Sequence, residues 1–250
     1  MTVISVVIPA LDEEQTVGGV VRGVREALDV IGPAGSAPEV IVVDGGSRDQ
    51  TFREAEAAGA TVLVSPGMGK GLAVRAGLAA AAGDTIVLLD SDGQDVPGDL
   101  PKLVDAYTRS GADFVNGSRF LGTFRDQGIA EVDYWGNRAL TGLANVLCRT
   151  KLSDINASFR VLRRSALEPI AWRFSEFEVE SEMILKAARS GLNIVEVPVV
   201  RERRLGGKRK FRKVRHGLRI LATIVRVSLL WRPPESRNIL NKNEISGETP

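Results

Sequence analysis

The sequence predicts an α/β fold: a single, Rossmann-like, mostly parallel sheet flanked by helices. Two observations support this prediction. Short apolar runs alternate with helical stretches through the first 116 residues, and polar or glycine-rich segments follow four of those runs. Parallel strands need long crossover connections, so repeated strand–helix units indicate a parallel sheet. At 250 residues, 44% of them hydrophobic and 26% charged, the chain can bury a substantial core.

The predicted strands are short and rich in Val, Ile and Leu. In the first half they fall at 4–8, 40–43, 61–64, 85–89 and 113–116. The helices between them fall at about 14–28, 50–58, 71–82 and 98–110. In the less regular second half, helices are predicted at 136–148, 179–190 and 213–232, and a strand at 194–199. The polar segment 233–250 is expected to be disordered.

Four loops at the predicted carboxyl ends of the strands mark the expected ligand site. They cover 9–13, 44–47, 66–71 and 90–94. Ligands of open α/β sheets bind beyond these strand ends, so the four loops should converge on one edge. In the third loop, glycines surround Lys70, which lets backbone N–H groups and one cation approach a diphosphate. The spacing is not that of a Walker loop, and an ordinary glycine-rich loop before a helix has the same pattern.

The fourth loop, Asp90-Ser91-Asp92-Gly93-Gln94, carries the most chemical information. Two carboxylates one residue apart at the end of a buried strand can hold Mg²⁺ or Mn²⁺, which neutralise a diphosphate leaving group. Taken alone, the motif fits a strand cap with a polar turn equally well. One His and one Cys in the whole chain cannot build a zinc site.

Charge is distributed unevenly along the chain. Residues 1–200 hold 19 Lys/Arg and 27 Asp/Glu, a net charge of −8, whereas residues 201–250 hold 14 and 4, a net charge of +10. A basic tail favours a polyanionic partner, either a membrane surface or nucleic acid. Its few aromatic residues and lack of a recognition motif argue against nucleic acid.

The last predicted helix is amphipathic. At helical spacing one side carries the basic residues Arg212, Arg215, Arg219 and Arg226. The broad apolar remainder comprises Val214, Leu218, Leu221, Ile224, Val225 and Leu229. This pattern is typical of a helix in a membrane interface, with its cations toward lipid headgroups. The alternative is a terminal helix that packs on the sheet with a solvated arginine stripe.

The sequence also suggests where the protein works. No apolar run is long enough to span a bilayer, and the N-terminus resembles a first strand rather than a signal peptide. The single cysteine, Cys148, fits a reducing compartment. We therefore expect a cytoplasmic protein, peripheral at the inner face of the cell membrane.

Nine motifs, in order, resemble those of the family 2 glycosyltransferases with the GT-A fold, and most closely the dolichyl- and polyprenyl-phosphate sugar synthases. They are VVIPALDEE (6–14), VVDGGSRDQT (42–51), GMGKGLAVRAG (67–77), LLDSDGQ (88–94), GSR (117–119), GN (136–137), SDINASFR (153–160), FEVESEM (177–183) and EVPVVRERRLGGKRK (196–210). The resemblance covers about residues 3–230. It implies a catalytic domain over 1–212, with 1–116 binding the nucleotide-sugar and 117–212 the acceptor.

The resemblance also implies roles for the donor half. The predicted nucleotide-sugar contacts are Pro9, Ala10, Glu13, Asp44, Lys70, Asp90 and Ser91. Asp92 would coordinate Mg²⁺ or Mn²⁺, with Gln94 as a neighbouring oxygen ligand. Taken singly, Glu13 could instead be a first-turn helix acid and Asp44 a turn residue.

In the acceptor half the resemblance implies a cationic site. The predicted acceptor contacts are Arg119, Asn137, Thr141, Arg160, Glu180, Arg204 and Lys210. A phosphate acceptor is already ionised and needs cations, whereas an alcohol needs a carboxylate base. Asp154 could orient the acceptor or act as that base, and it completes the expected catalytic set with Asp92, Arg119 and Arg204.

Several positions depart from the family pattern and leave the acceptor open. Ser158 stands where the family has Gly, and Arg209 where Ser is common. Arg201 and Arg203 replace common Tyr and Pro. These changes put the shape of the acceptor pocket in doubt and make the loop over it more basic.

The expected function is metal-dependent, inverting transfer of a hexose from a GDP- or UDP-linked donor to a polyprenyl phosphate at the membrane. A hexosyltransferase acting on a soluble hydroxyl acceptor is the alternative within the class. A non-catalytic nucleotide- or lipid-binding protein is the alternative outside it. A nucleotidyltransferase is disfavoured, because the loop after the first strand is acidic and lacks glycine.

Overall fold

The structure is a computed structural model that describes residues 3–32, 38–121, 131–167, 170, 175–204 and 213–233. Within these residues one sheet has the strand order β3-β2-β1-β4-β6-β5-β7. The strands are β1 (Ile4–Ala10), β2 (Glu39–Asp44), β3 (Thr61–Val64), β4 (Thr85–Leu88), β5 (Phe114–Ser118), β6 (Arg160–Arg163) and β7 (Ile194–Pro198). All pairs are parallel except those of β6, which is antiparallel to β4 and β5. The predicted, mostly parallel sheet is confirmed.

Helices cover both faces of this sheet. They are α1 (Val17–Ile31), α2 (Thr51–Ala57), α3 (Lys70–Ala80), α4 (Leu100–Ser110), α5 (Glu131–Cys148), α6 (Arg164–Leu167), α7 (Val179–Arg189) and α8 (Lys213–Leu229). A single 3₁₀ turn, Pro97–Asp99, leads into α4. α5 begins earlier than its predicted start at 136, and the other predicted helices lie within a few residues of their expected ends.

The core consists of two apolar layers that follow the alternation of strand side chains. On β1, Val6 and Ile8 belong to the layer beneath α1, α2 and α4. Val7 belongs to the opposite layer, beneath α3, α5, α7 and α8. α3 lies so close to β1 that a Cβ on Gly77 would collide with Val7, so glycine is required there. The sheet thus fixes the loops at its carboxyl edge from both sides.

β6 was not predicted from the sequence. Only two apolar residues lie between Arg160 and Arg163, too few to produce a strand period. Its neighbours make it a strand: Leu162 is in register with Ile86 of β4 and with Phe114 of β5. This pairing places Arg160 in the interior, at 2% exposure.

Three arginines of the α8 stripe pair with acidic residues of the α7 region. α8 packs against α5 and α7. Arg219 pairs with Glu178 at 2.6 Å and with Glu176 at 3.0 Å, and Arg226 pairs with Glu182 at 3.3 Å. Arg215 also contacts the carboxylate of Glu176, at 3.2 Å, whereas Arg212 lies outside the described residues. Acidic residues of the α7 region thus hold three of the four arginines, and the orientation of the stripe toward lipid headgroups stays a prediction.

A helix can cross a bilayer only if it is both long and apolar. In the parts of the chain that the structure describes, no helix combines the length and the apolar character needed to cross a membrane. The predicted tail, 233–250, lies outside the described residues except for its first residue.

Candidate active site

The loops that follow β1, β2 and β4 meet at one edge of the sheet, as the sequence predicted. The N–H of Gly45 donates to the carbonyl of Ala10 at 2.8 Å, which joins the first two loops. The hydroxyl of Ser91 donates to the carbonyl of Pro9 at 2.9 Å, which joins the first loop to the DSDGQ segment. These loops therefore form one continuous rim, on which the predicted donor residues lie.

Glu13 and Asp44 are buried carboxylates on this rim. The backbone N–H of Glu13 donates to the hydroxyl of Thr51 at 2.7 Å. Asp44 accepts from the N–H of Ser47 at 3.1 Å and from its hydroxyl. It therefore closes the turn after β2, which is the structural role that the sequence offered as the alternative to nucleotide binding. Asp12 adopts a left-handed conformation with φ 46°, which is uncommon for a non-glycine residue. Such a conformation persists only where surrounding contacts fix the loop.

Asp92 and Gln94, the predicted metal ligands, lie side by side after β4. The N–H of Gln94 donates to the carboxylate of Asp92 at 3.0 Å. Burial and the negative charge of Asp90 raise the pKa of Asp92 to about 6. A nearby cation would relieve this unfavourable ionisation. The carboxylate and the amide oxygen are both hard donors of the kind that Mg²⁺ and Mn²⁺ prefer.

Two arginines of the segment after β7 contact these same ligands. Arg204 donates to Asp92 at 3.0 Å and also pairs with Glu13. Arg201 donates to the side-chain oxygen of Gln94 at 3.0 Å. Guanidinium groups thus lie on the oxygens that would bind a metal, and a metal must share or displace these contacts.

Lys70 brings the glycine-rich loop to the same edge. Its ammonium group lies 2.5 Å from Asp90 and also pairs with Glu180. Burial alone would lower the pKa of Lys70, but the two carboxylates outweigh burial and raise it. Gly69 in this loop has φ 126°, and a Cβ there would collide with the carbonyl of Ser175, so only glycine fits. The loop is therefore held against the start of α7 with its cation directed at the DSDGQ segment.

A small cavity lies beside this cluster. Its lining includes Lys70, Asp90, Ser158, Arg160 and Glu180. Burial lowers the pKa of Arg160 to about 10, and burial raises the pKa of Glu180 above its usual value. The cavity thus holds two cations and two carboxylates, a lining able to hydrogen-bond the hydroxyl groups of a polar ligand.

On the predicted acceptor side, Arg119 and Asp154 form a bidentate ion pair. The two nitrogen–oxygen distances are 2.6 and 2.8 Å, and the Asp154 side chain is fully buried. Burial raises the pKa of Asp154, but Arg119 outweighs burial and lowers it below the ordinary 3.8. A carboxylate with a lowered pKa and both oxygens engaged is a weak base. The geometry favours a role in orienting Arg119.

The remaining predicted acceptor residues are only partly brought together. Asn156, two residues after Asp154, donates to the side-chain oxygen of Asn137 at 2.9 Å, so Asn137 borders this pair. Thr141, further along α5, is buried, and its hydroxyl has no hydrogen-bond partner among the described residues. Lys210 lies outside the described residues.

Asp95 is a site residue that the sequence analysis missed. Its carboxylate accepts from the N–H of Asp90 at 3.1 Å, from the hydroxyl of Ser158 at 2.7 Å and from Arg201 at 3.2 Å. Ser158 and Arg201 are two of the departures from the family pattern, and they meet on this one carboxylate. The available signal was a third Asp directly after DSDGQ.

Comparisons with known proteins agree with this geometry. The family model described as glycosyl transferase family 2 matches residues 5–170, which is more than half of the chain. The chain belongs to glycosyltransferase family 2. This glycosyltransferase is 35% identical over 212 residues to an uncharacterized glycosyltransferase of Mycobacterium tuberculosis H37Rv, covering 83% of this chain and 88% of the relative. It is 31% identical over 227 residues to a dolichyl-phosphate hexose transferase of Haloferax volcanii, covering 90% and 94%.

Solved structures of glucosyl-3-phosphoglycerate synthase from Mycobacterium tuberculosis share the fold of this family 2 enzyme. The complex with phosphoglyceric acid has a TM-score of 0.74 at 25% identity and covers 94% of this chain and 82% of its own. A complex with Mn²⁺, UDP-glucose and phosphoglyceric acid has a TM-score of 0.70 at 26% identity, with coverage of 94% and 82%. The predicted GT-A fold is thereby confirmed.

The expected requirement for Mg²⁺ or Mn²⁺ agrees with these neighbours, which were crystallised with Mn²⁺ or with Mg²⁺. In the described part of this glycosyltransferase, no three His, Cys, Asp or Glu side chains are grouped as a metal site. One or two protein oxygens plus substrate phosphates are the usual ligands of Mg²⁺. The buried, unfavourably ionised Asp92 and the adjacent Gln94 fit that arrangement.

Proposed function

We propose that this glycosyltransferase transfers a hexose, with inversion, from a nucleotide-sugar to a polyprenyl phosphate at the cytoplasmic face of a membrane. The bidentate pair of Arg119 and Asp154 carries the proposal. The pair fixes the cation Arg119 on the acceptor side, and it engages both oxygens of Asp154, the carboxylate expected to act as a base. This arrangement suits a phosphate nucleophile, because a phosphate is ionised near neutral pH and must be held rather than deprotonated.

The donor would bind across the rim formed by the loops after β1, β2 and β4. Glu13 and Asp44 offer acceptors to the N–H and O–H groups of a nucleoside. Asp92 and Gln94 would hold the metal, which when bound neutralises the diphosphate leaving group. Lys70, fixed against Asp90, adds a positive charge on the same side.

In the proposed reaction an acceptor phosphate oxygen forms a bond to the anomeric carbon while the bond from that carbon to the diphosphate breaks. Arg119 would hold the acceptor phosphate on the face opposite the leaving group. Arg204, already in contact with Asp92, would lie between the two charged groups. The relative named as a dolichyl-phosphate hexose transferase supports a lipid phosphate as acceptor.

A second candidate is transfer to a soluble hydroxyl acceptor. The structural neighbour that holds phosphoglyceric acid beside UDP-glucose supports it, since that molecule also carries a phosphate that cations can hold. In this case a base is needed, and Glu180, whose pKa is raised by burial, is placed in the cavity beside Arg160. The two candidates share the donor site and differ only in the nucleophile.

The decisive experiment offers labelled GDP- and UDP-hexoses with Mn²⁺ to the full chain, with either a short-chain polyprenyl phosphate or phosphoglyceric acid. We expect a labelled product that extracts into organic solvent only with the lipid phosphate. Transfer to the soluble acceptor alone would reject the lipid acceptor and favour the second candidate.

Replacing Asp92 tests whether the chain catalyses transfer at all. Asp92→Ala should abolish turnover while its circular dichroism spectrum stays that of the wild type. Asp105→Ala, a change at an exposed carboxylate of α4 that pairs within its own helix, serves as the control. Nucleotide binding without transfer to any acceptor in the wild type would favour a non-catalytic binding protein.

A further inference from the structure

The outward side of α8 is apolar along its whole length. Five exposed positions follow one another at helical spacing: Val214, Leu218, Ala222, Val225 and Leu229. Leu218 is 61% exposed and Leu229 is 68% exposed. The opposite side of the helix is apolar too, because Ile220, Ile224 and Val227 are buried in the core. The arginines lie between these two sides and are held by the α7 region.

α5 packs beside α8 and extends this surface. Its exposed residues include Val132, Trp135, Leu143 and Val146, of which Trp135 is 68% and Val146 is 76% exposed. Large apolar side chains exposed on two neighbouring helices form a patch of the kind that marks an interaction site. We call these residues of α5 and α8 the α5/α8 surface.

The α5/α8 surface is continuous with the acceptor side of the proposed active site. The guanidinium of Arg119 lies over the ring of Phe120, at 5.3 Å from its centroid. Phe120 contacts Tyr134 edge to face at 5.3 Å, and Tyr134 contacts Trp135 at 5.2 Å. A row of aromatic rings thus leads from the proposed acceptor cation to the exposed apolar surface.

The charges around this surface have one predominant sign. Segments 131–151 and 213–233 contain eight Lys/Arg, and their only acids are Glu131 and Asp133. Three of the eight, Arg215, Arg219 and Arg226, pair with acids of the α7 region, which leaves the other five to set the sign. Arg138, Arg149, Lys151 and Arg232, which lie on α5 or directly after α5 and α8, are exposed. An apolar surface rimmed by cations is complementary to a bilayer with anionic headgroups, where apolar burial and electrostatic attraction act together.

Two other occupants fit less well. A second copy in a two-fold contact would bring the same basic rim against itself, which is unfavourable. The chain's own C-terminal segment 234–250 has only Ile239, Leu240 and Ile245 as aliphatic residues, too few to cover two helices.

We propose that the α5/α8 surface docks this enzyme onto an anionic lipid bilayer by inserting the apolar side chains of both helices among the headgroups. This docking rests on the proposed function in one respect: the α5/α8 surface is where the enzyme would reach a membrane-borne acceptor. It also reverses the orientation expected from the sequence, in which the arginines were to face the lipid.

The test measures binding of the full chain to vesicles that contain no polyprenyl phosphate. Wild type should co-sediment with vesicles of phosphatidylcholine and phosphatidylglycerol, and less with phosphatidylcholine alone. Leu218→Glu combined with Leu229→Glu should weaken binding by about tenfold or more, because charges replace inserted leucines. Val30→Glu, a change at a 75% exposed position on the opposite side of the sheet, should leave binding unchanged.

Three results would overturn the docking proposal. Wild type could fail to bind anionic vesicles, or the double variant could bind them as well as wild type while melting at the same temperature. Sedimentation could instead show a wild-type dimer that the double variant dissociates, which makes the surface a self-interface. If the wild type does not bind vesicles but transfers sugar to polyprenyl phosphate in detergent, the docking proposal fails and the proposed function stands. If it binds vesicles but does not transfer sugar to polyprenyl phosphate, the proposed function fails and the docking proposal stands.

Discussion

Arg204 donates to the carboxylate of Asp92 at 3.0 Å, so a protein cation contacts the group proposed to bind the metal. The same guanidinium pairs with Glu13 on the nucleoside side of the rim. Arg204 belongs to the segment after β7 and Asp92 to the loop after β4. Their contact therefore joins the proposed acceptor half of the chain to the proposed leaving-group site, where Arg204 would compete with a bound metal.

We predict that Arg204→Ala binds Mn²⁺ more tightly and transfers sugar more slowly. Removing a guanidinium from a buried carboxylate removes a competing charge, worth about tenfold in Mn²⁺ affinity. Turnover should fall by about 100-fold, because the donor diphosphate and the acceptor phosphate both lose a stabilising cation. Mn²⁺ titration and donor-consumption assays measure the two effects. Arg203→Ala, at the exposed neighbouring position, is the control, and equal Mn²⁺ affinity in Arg204→Ala and wild type would contradict the prediction.

We predict that Asp154→Asn destabilises the protein by about 3 kcal/mol, since it leaves the Arg119 charge largely buried without its partner. The folded-state pKa of Asp154 lies below the ordinary 3.8. The stabilisation by the ion pair is therefore fully present above pH 3.8, and it is lost as the pH falls through the lower folded-state pKa. The difference in unfolding free energy between wild type and variant should therefore become smaller in acid. Urea unfolding at several pH values measures it, and a pH-independent difference would argue against the ion pair.

We predict that Ser158 and Arg201 are coupled through Asp95, to which both donate. Ser158→Ala should cost about 1 kcal/mol of unfolding free energy, because it removes a buried hydrogen bond. In Arg201→Gln that cost should change by at least about 0.5 kcal/mol, since residues that share one partner are not independent. A double-mutant cycle by urea unfolding gives the coupling energy. Strict additivity would show that Ser158 and Arg201 contribute to stability independently and would contradict the prediction.

We predict that Arg219→Gln weakens the attachment of α8 by about 0.5–1 kcal/mol at low ionic strength, and by less at high salt. Arg219 contacts Glu176 and Glu178 on the α7 region, and its side chain is only partly exposed. Arg109→Gln is the control, because Arg109 makes one exposed pair within its own helix. Thermal unfolding at two salt concentrations measures both variants, and equal small effects would mean that the α8 pairs add no stability.

Local patterns were sufficient for much of the fold. The βα units of the first half each contain a complete apolar run and a helical stretch, so β3 was placed at its observed residues and the other strands within a few. β6 could not be found in this way. Two apolar residues between arginines are too few to show a strand period. This segment becomes a strand only because it pairs with β4 and β5.

Part of the site followed from sequence for the same reason. The loops after β1, β2 and β4 converge because parallel strands place their carboxyl ends on one edge. Asp95 was missed, since its importance comes from Ser158 and Arg201, which lie far along the chain. The amphipathic period of α8 was recognised, but the ion pairs of its arginines were not: a period shows which residues share a side and does not show what that side contacts.

The sequence by itself determined the family, the parallel strands and the loops that carry Asp92, Gln94 and Lys70, because each depends on residues close together in the chain. Only the tertiary structure decided which charges meet: Arg204 with Asp92, Arg119 with Asp154, and the α8 arginines with the acids of the α7 region. Ion pairs between distant segments depend on how elements pack, and no local pattern encodes that packing. For the same reason the apolar α5/α8 surface was visible only after α8 had been placed.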